Sequence, residues 1–267
     1  MAFIVFTDLD GTLLNSEDYR YEAALPVLQE LKNRKIPVIP VTSKTRAEVE
    51  LLRRQIGLND PFIVENGSGV FVARGDDRFE VSDTDTWEGY HLKRFGLTYS
   101  EARQQLAKVA TRLGEELRGL GDLSLDEVGE FTGLFGEDAE RAKARDFTEP
   151  FVTPKDLYPK TLEEAVATVG CRVVVGDRFS HLIGKNAGKG KAVRWLIDRF
   201  RHDTEELVTV GLGNSPNDLE LLETVDRAIV VPDMLGRPHP QLSDRGWEVA
   251  PSHGCQGWAN AVTSIFE

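Results

Sequence analysis

The sequence predicts an α/β protein: a Rossmann-like parallel sheet core with helices on both faces, carrying an inserted, smaller α+β domain. Three observations lead there. Short apolar runs alternate with amphipathic stretches near both ends of the chain, the rhythm of βαβ units. From about residue 80 charged and helical segments dominate instead, until the rhythm returns after "GKNAGKGK" at 184–191. Polar clusters also follow the apolar runs, where open parallel sheets bind ligands. The expected division is 1–82 and 188–267 for the core and 83–187 for the insertion, an ordinary domain size.

In chain order, Phe3, Ile4, Val5 and Phe6 read as a strand buried on both faces, spanning 3–7. Over 22–34, Ala24, Val27, Leu28 and Leu31 share one helical face, and "IPVIPVT" (36–42) is extended. Pro37 and Pro40 are awkward in a central strand, because each removes a ladder donor. A helix over 46–56 stops at Gly57, and "FIVENG" (62–67) reads as a strand ending in a turn. The insertion holds helical stretches at 99–117 and 136–147, while "CRVVVGD" (171–177) suggests a small sheet. In the returning core, 189–200 place Val193, Leu196, Ile197 and Phe200 on one face; 207–213 and 228–231 are strands.

Composition narrows the function. The 267 residues include 32 Lys plus Arg against 44 Asp plus Glu, a formal charge of -12, which argues against a nucleic-acid partner. Cys171 and Cys255 are far apart and form no C-x-x-C pattern, so neither a disulfide framework nor a zinc site is expected. "MAFIVFTD" has no basic n-region with a long apolar stretch behind it, and no run reaches membrane-spanning length. The expectation is a cytoplasmic protein with no membrane partner; oligomeric state is not legible.

Two carboxylates two residues apart, Asp8 and Asp10, close the first strand and project to one side, so a cation is expected near them. Three further clusters accompany "DLDGT" (8–12): "TSKT" (42–45), "GKGK" (188–191) and "GNSPND" (213–218). Taken singly, Thr42 and Ser43 read as helix caps, Lys189 as a solvated charge, and Asn217 with Asp218 as caps. Four together at one sheet edge read as a site, and a lysine opening a helix suggests an anion partner. Neither nucleotide-binding fingerprint fits. Only three residues separate Gly184 from Gly188, with Gly190 after Lys189, and Pro216 takes the third glycine position of "GLGNSP".

These four clusters resemble the motifs of the haloacid dehalogenase superfamily of phosphatases, in the subgroup with a cap inserted between the second and third motifs. "VTSKTRAEVE", "PFIVENGSGVF", "TGLFGEDAERAKARDFTEPF" and "GLGNSPNDLELL" are similar, more narrowly, to its mannosyl-3-phosphoglycerate phosphatases. The resemblance implies that Asp8 attacks phosphorus and that Asp10 protonates the leaving oxygen, then deprotonates water. It implies Mg²⁺ on Asp8, Asp10, Asn214 and Asp218, and phosphate held by Thr42, Ser43 and Lys189. The small-molecule sugar phosphate would be selected by Arg145, Arg178, His181 and Lys185 in the cap, with Glu65 and Asn66 after the third strand. One position departs from the family: Asn214 stands where aspartate is usual, so weaker Mg²⁺ affinity is expected. The alternatives are a glucosyl-3-phosphoglycerate or sucrose phosphate substrate, or a catalytically weak binding protein.

Overall fold

The structure is a computed structural model and describes residues 1–176, 179–201 and 206–266. Its strands are β1 (Ala2–Thr7), β2 (Val38–Pro40), β3 (Phe62–Val64), β4 (Gly69–Ala73), β5 (Asp85–Trp87) and β6 (Tyr90–Arg94). After the long helical stretch come β7 (Glu149–Phe151), β8 (Cys171–Val175), β9 (Ser180–Gly184), β10 (Leu207–Gly213), β11 (Arg227–Val230) and β12 (Glu248–Val249). The parallel sheet runs β12-β11-β10-β1-β2, with β1 in register against β10 from Ala2↔Leu207 to Thr7↔Leu212. Alternation along β1 feeds two layers. Val5 packs with Leu28, Leu31, Trp258 and Val262 on one face; Ile4 and Phe6 pack with Ile39, Val193 and Leu196 on the other. Both faces are thus covered, as parallel strands require.

Local chemistry sets the helices around this sheet. The helix α1 (Leu25–Asn33) follows a short 3-10 turn, so the single helix read over 22–34 is divided near Pro26. Thr45 and Glu48 form a capping box on α2 (Arg46–Ile56), and Gly57 ends it in the left-handed region, φ +73. Another capping box, Thr98 with Glu101, opens α3 (Tyr99–Leu113). Next come α4 (Leu125–Thr132), α5 (Glu137–Lys143), α6 (Pro159–Ala167) and α7 (Lys189–Ile197), then α8 (Leu219–Leu222), α9 (Pro240–Ser243) and α10 (Gly254–Phe266).

The extended run at 36–42 narrows to three residues, and its prolines explain how it still sits beside β1. Val41 N donates to Thr7 O, whereas Val38 N and Thr42 N turn the other way, to Asp60 Oδ2 and Ile63 O. By alternation the missing donor of Pro40 lies on that second side, where β2 meets β3 only through the Val41↔Ile63 bridge. From there the chain builds an antiparallel sheet, β3-β4-β6-β5. Residues 85–94, read from sequence as part of the insertion, therefore pair onto β4 and extend the core side. The three-stranded antiparallel sheet β7-β9-β8 is separate, and Leu182 packs there with Leu106 and Val109 of α3 and with Leu162 and Val166 of α6.

Candidate active site

The carboxyl ends of β1, β2 and β10 and the N-terminus of α7 converge on one cavity. Asp8 N donates to Leu212 O (2.9 Å), which fixes the first carboxylate against the end of β10. The turn behind it folds tightly back, with Gly11 at φ +76 and no room for a Cβ beside the Asn214 amide. Lys189 Nζ donates to Asp8 Oδ1 (2.8 Å) and to Asp218 Oδ1 (2.6 Å), and all three residues are buried. Asp218 Oδ2 accepts from Asn214 N (3.0 Å) and Ser215 N (3.1 Å), so it also shapes the "GNSPND" turn.

The charges follow from this packing. Burial, then the neighbouring Asp218 carboxylate, pushes the Asp8 pKa up to about 7, although Lys189 opposes both. Burial works to lower Lys189, but the carboxylates of Asp218 and Asp8 outweigh it and hold the ammonium charged. Asp10 has its own lysine: Lys44 Nζ lies 3.0 Å from Asp10 Oδ2 and 3.7 Å from Glu48 Oε1. Burial again opposes the cation, and Asp10 and Glu48 again prevail. The cation expected near the paired aspartates is thus two cations, one for each carboxylate.

Thr42 and Ser43 do not cap α2, since Thr45 does. Thr42 Oγ1 accepts from Lys44 N (3.2 Å), Thr42 O accepts from Asn66 N, and Ser43 lines the cavity. Asn66 is held at φ +57 in the turn after β3, and both polar atoms of its buried amide lack protein partners among the described residues. The next residue, Gly67, has φ +82 and packs so closely on the Gly188 carbonyl that a Cβ would overlap it. This contact seats the turn against the start of α7, where Asn66 and Lys189 line a neighbouring cavity that shares Val174, Gly176, Ser215 and Asn217 with that of Asp8 and Asp10.

Arg145, His181, Asn214, Ser215 and Asn217 line the cavity with Asp8 and Asp10. His181 is kept neutral, its pKa pushed down to about 3 by burial and then by Arg145 and Lys189. Glu65 is fully buried and turned into the protein. It pairs with Arg145 Nε (3.2 Å) and accepts from the backbone of Asp146, Phe147 and Thr148. Lys185 is exposed in the turn after β9, its N–H on Gly170 O, and is not among the cavity residues. Arg178 lies outside the described residues. Sequence reasoning passed over Lys44 although it sits within "TSKT"; the signal was the Thr45-x-x-Glu48 capping box, which frees the preceding residues from capping.

The oxygen-rich donors suit a hard divalent cation such as Mg²⁺. Burial beside Asp218 already raises Asp8, and Asp10 Oδ1 is buried without a partner among the described residues, so negative charge is in excess here. No group of three His, Cys, Asp or Glu side chains is gathered for a metal among the described residues. A cation would therefore rely on amide and main-chain oxygens beside Asp8 and Asp218. Asn214 Oδ1 is the nearby amide oxygen, 3.3 Å from Thr12 Oγ1.

A carboxylate-ended parallel strand, a buried lysine opening a helix and an acidic turn after β10 define a class, and comparison with known proteins agrees. Residues 5–86 match the model of haloacid dehalogenase-like hydrolases and 137–247 that of sucrose-6F-phosphate phosphohydrolase. The chain belongs to the haloacid dehalogenase-like hydrolases and is a phosphoric monoester hydrolase of sugar phosphates. Among its relatives, a glucosyl-3-phosphoglycerate/mannosyl-3-phosphoglycerate phosphatase from Persephonella marina is 39% identical, covering 98% of this chain and 97% of that one. A mannosyl-3-phosphoglycerate phosphatase from Pyrococcus horikoshii is 32% identical over 86% of this chain and 91% of its own. The fold is shared with the sucrose-phosphatase of Synechocystis sp. PCC6803, solved with sucrose and phosphate (TM-score 0.62, 15% identity, 100% and 99% coverage). Among the described residues no helix is long and apolar enough to cross a membrane.

Proposed function

We propose that the protein hydrolyses mannosyl-3-phosphoglycerate to mannosylglycerate and phosphate through an aspartyl-phosphate on Asp8. The observation that carries this reading is Lys189 spanning Asp8 and Asp218, with Asp10 on the same turn and Arg145 and His181 facing them across the cavity. Asp8 Oδ attacks phosphorus, the ester P–O bond breaks, and Asp10 gives a proton to the departing glycerate oxygen. Asp10 then takes a proton from water as that water attacks phosphorus and releases Asp8. Lys189, Thr42 and Ser43 hold the other phosphate oxygens, the lysine as a point charge. Mg²⁺, held by Asp8, the Asp10 carbonyl, Asn214 and Asp218, would supply charge neutralisation at the transferring group.

In the cavity Arg145 suits the glycerate carboxylate: with Nε facing Glu65 and Nη2 donating to Thr148 and Ser43, its Nη1 still offers two N–H donors. Neutral His181, which lines the same cavity, suits a sugar hydroxyl, since its ring offers one donor and one acceptor nitrogen. A buried arginine facing the cavity favours this substrate over sucrose phosphate, which has no carboxylate. Glucosyl-3-phosphoglycerate is the second reading, since the Persephonella marina relative is named for both hexoses. The test is phosphate release from the mannosyl, glucosyl and sucrose compounds, with and without Mg²⁺ and with Asp8→Asn as blank. Mg²⁺-dependent release from the mannosyl compound, absent in the variant, is expected; release from sucrose phosphate alone would overturn the substrate assignment.

A further inference from the structure

Glu65 is the unusual residue of the site's surroundings. Its side chain is fully buried and its backbone sits at φ +50, a region that costs a non-glycine residue about 1–3 kcal/mol. A buried carboxylate in a strained turn needs a compensating set of partners, and this one has it. Oε1 accepts from Asp146 N (2.7 Å), and Oε2 accepts from Thr148 N (2.8 Å), Thr148 Oγ1 (2.6 Å) and Phe147 N (3.3 Å). The same Oε2 lies 3.2 Å from Arg145 Nε. Arg145 Nη2 is held in turn by Thr148 Oγ1 (2.7 Å) and by Ser43 O (3.1 Å). One carboxylate therefore holds the Nε/Nη2 edge of the guanidinium, by charge at Nε and through Thr148 Oγ1 at Nη2, together with the backbone just beyond it, and the arginine it holds lines the cavity.

We propose that Glu65 is a positioning residue for substrate recognition: it sets the guanidinium of Arg145 at the angle that receives the substrate's carboxylate. This rests on the proposed function, in which Arg145 reads the glycerate. Ser43 ties the arrangement to the phosphate side, since its carbonyl holds Arg145 while its own residue flanks the phosphate-binding hydroxyl of Thr42. The distance between the phosphate and carboxylate subsites is then fixed by Glu65 and Ser43 together, not by the arginine alone. Preorganisation of this kind acts on recognition of the far end of the substrate more than on the chemistry at phosphorus.

The experiment measures kcat and KM of the Mg²⁺-loaded enzyme on mannosyl-3-phosphoglycerate and on p-nitrophenyl phosphate, which has no carboxylate. Glu65→Gln removes the charge partner and places an amide NH₂ among donors; Thr148→Val removes the bridging hydroxyl with little change of volume and serves if the first variant folds poorly. Each is expected to lower kcat/KM for the carboxylate substrate about tenfold more than for p-nitrophenyl phosphate, mainly through KM, and to be non-additive with Arg145→Lys. Equal losses on both substrates would mean a purely structural clamp and overturn the proposal. If Arg145→Lys loses the carboxylate preference but neither other variant does, positioning fails and the substrate reading stands. If Arg145→Lys keeps the preference, the substrate reading itself fails and takes this inference with it.

Discussion

At the scale of single residues the site is a set of buried charges that exist only because each has a partner. Lys189 shows this most directly: Lys189→Met leaves the Asp8 and Asp218 carboxylates buried together, and removal of one member of such a cluster costs about 3–5 kcal/mol. Urea unfolding of that variant should show the loss, and an unchanged midpoint would mean that the carboxylates find other solvation. His181 gives a pH signature. Its folded pKa of about 3 lies below the ordinary 6.5, so the unfolded chain binds the extra proton between those values. Its contribution to stability is therefore complete above pH 6.5 and lost progressively as pH falls toward 3. His181→Gln should flatten the stability curve in that window and leave the neutral side unaltered. Asn214→Asp should tighten Mg²⁺ binding measured by calorimetry, because a charged donor replaces an amide beside Asp8; equal affinity would show that Asn214 is not a ligand. Asp8, Asp10 and Lys189 were legible in sequence because each ends or opens an element in a short motif. The partnership of Glu65 with Arg145 was not, because eighty residues separate them and only the fold brings the segment 145–148 back onto the turn.

At the scale of elements, two left-handed glycines separate local from tertiary cost. Gly57 ends α2 at φ +73 with open space around it, so Gly57→Ala should cost about 1–2 kcal/mol of stability and leave kcat alone. Gly67, at φ +82, meets the Gly188 carbonyl and Lys189 N, so Gly67→Ala should cost more stability and also lower kcat by displacing α7. Paired thermal melts and rate measurements check this; equal penalties for the two would mean the turn after β3 does not seat the lysine. Helix starts were more legible than helix ends: α2, α3 and α7 open at Arg46, Tyr99 and Lys189 as read, but only α2 ends where expected, whereas the stretches read to 117, 147 and 200 stop at Leu113, Lys143 and Ile197. The strands β5 and β6 were the least legible. Their sequence, "DTW" and "YHLKR", carries charge on an exposed sheet margin and lacks the apolar run that marked β1 and β10.

At the scale of the whole molecule, two dissimilar seams stand out among the described contacts that join the three-stranded sheet and its helices to the core. One is the buried cluster of Glu65, Arg145 and Thr148; the other is the half-exposed ion pair of Arg172 on β8 with Glu220 on α8. Solvent screening makes the second weak, so Glu220→Gln should change unfolding free energy by less than about 1 kcal/mol. A loss of several times that would make the exposed seam a principal join. The buried seam borders the cavity of Asp8 and Asp10 through Arg145, and the exposed one a neighbouring cavity, so the geometry of substrate selection depends on how the returning segment docks, whereas the phosphate chemistry stays with the parallel sheet.

The most direct test of the account is to trap the covalent intermediate. The Mg²⁺-loaded enzyme is mixed with excess mannosyl-3-phosphoglycerate, quenched in acid, reduced with borohydride and mapped by peptide mass. An acyl phosphate on the nucleophile is reduced to homoserine, and the account predicts that product at position 8 alone. Steady release of phosphate with no modification at position 8, or with homoserine at Asp10 or Asp218, would contradict it.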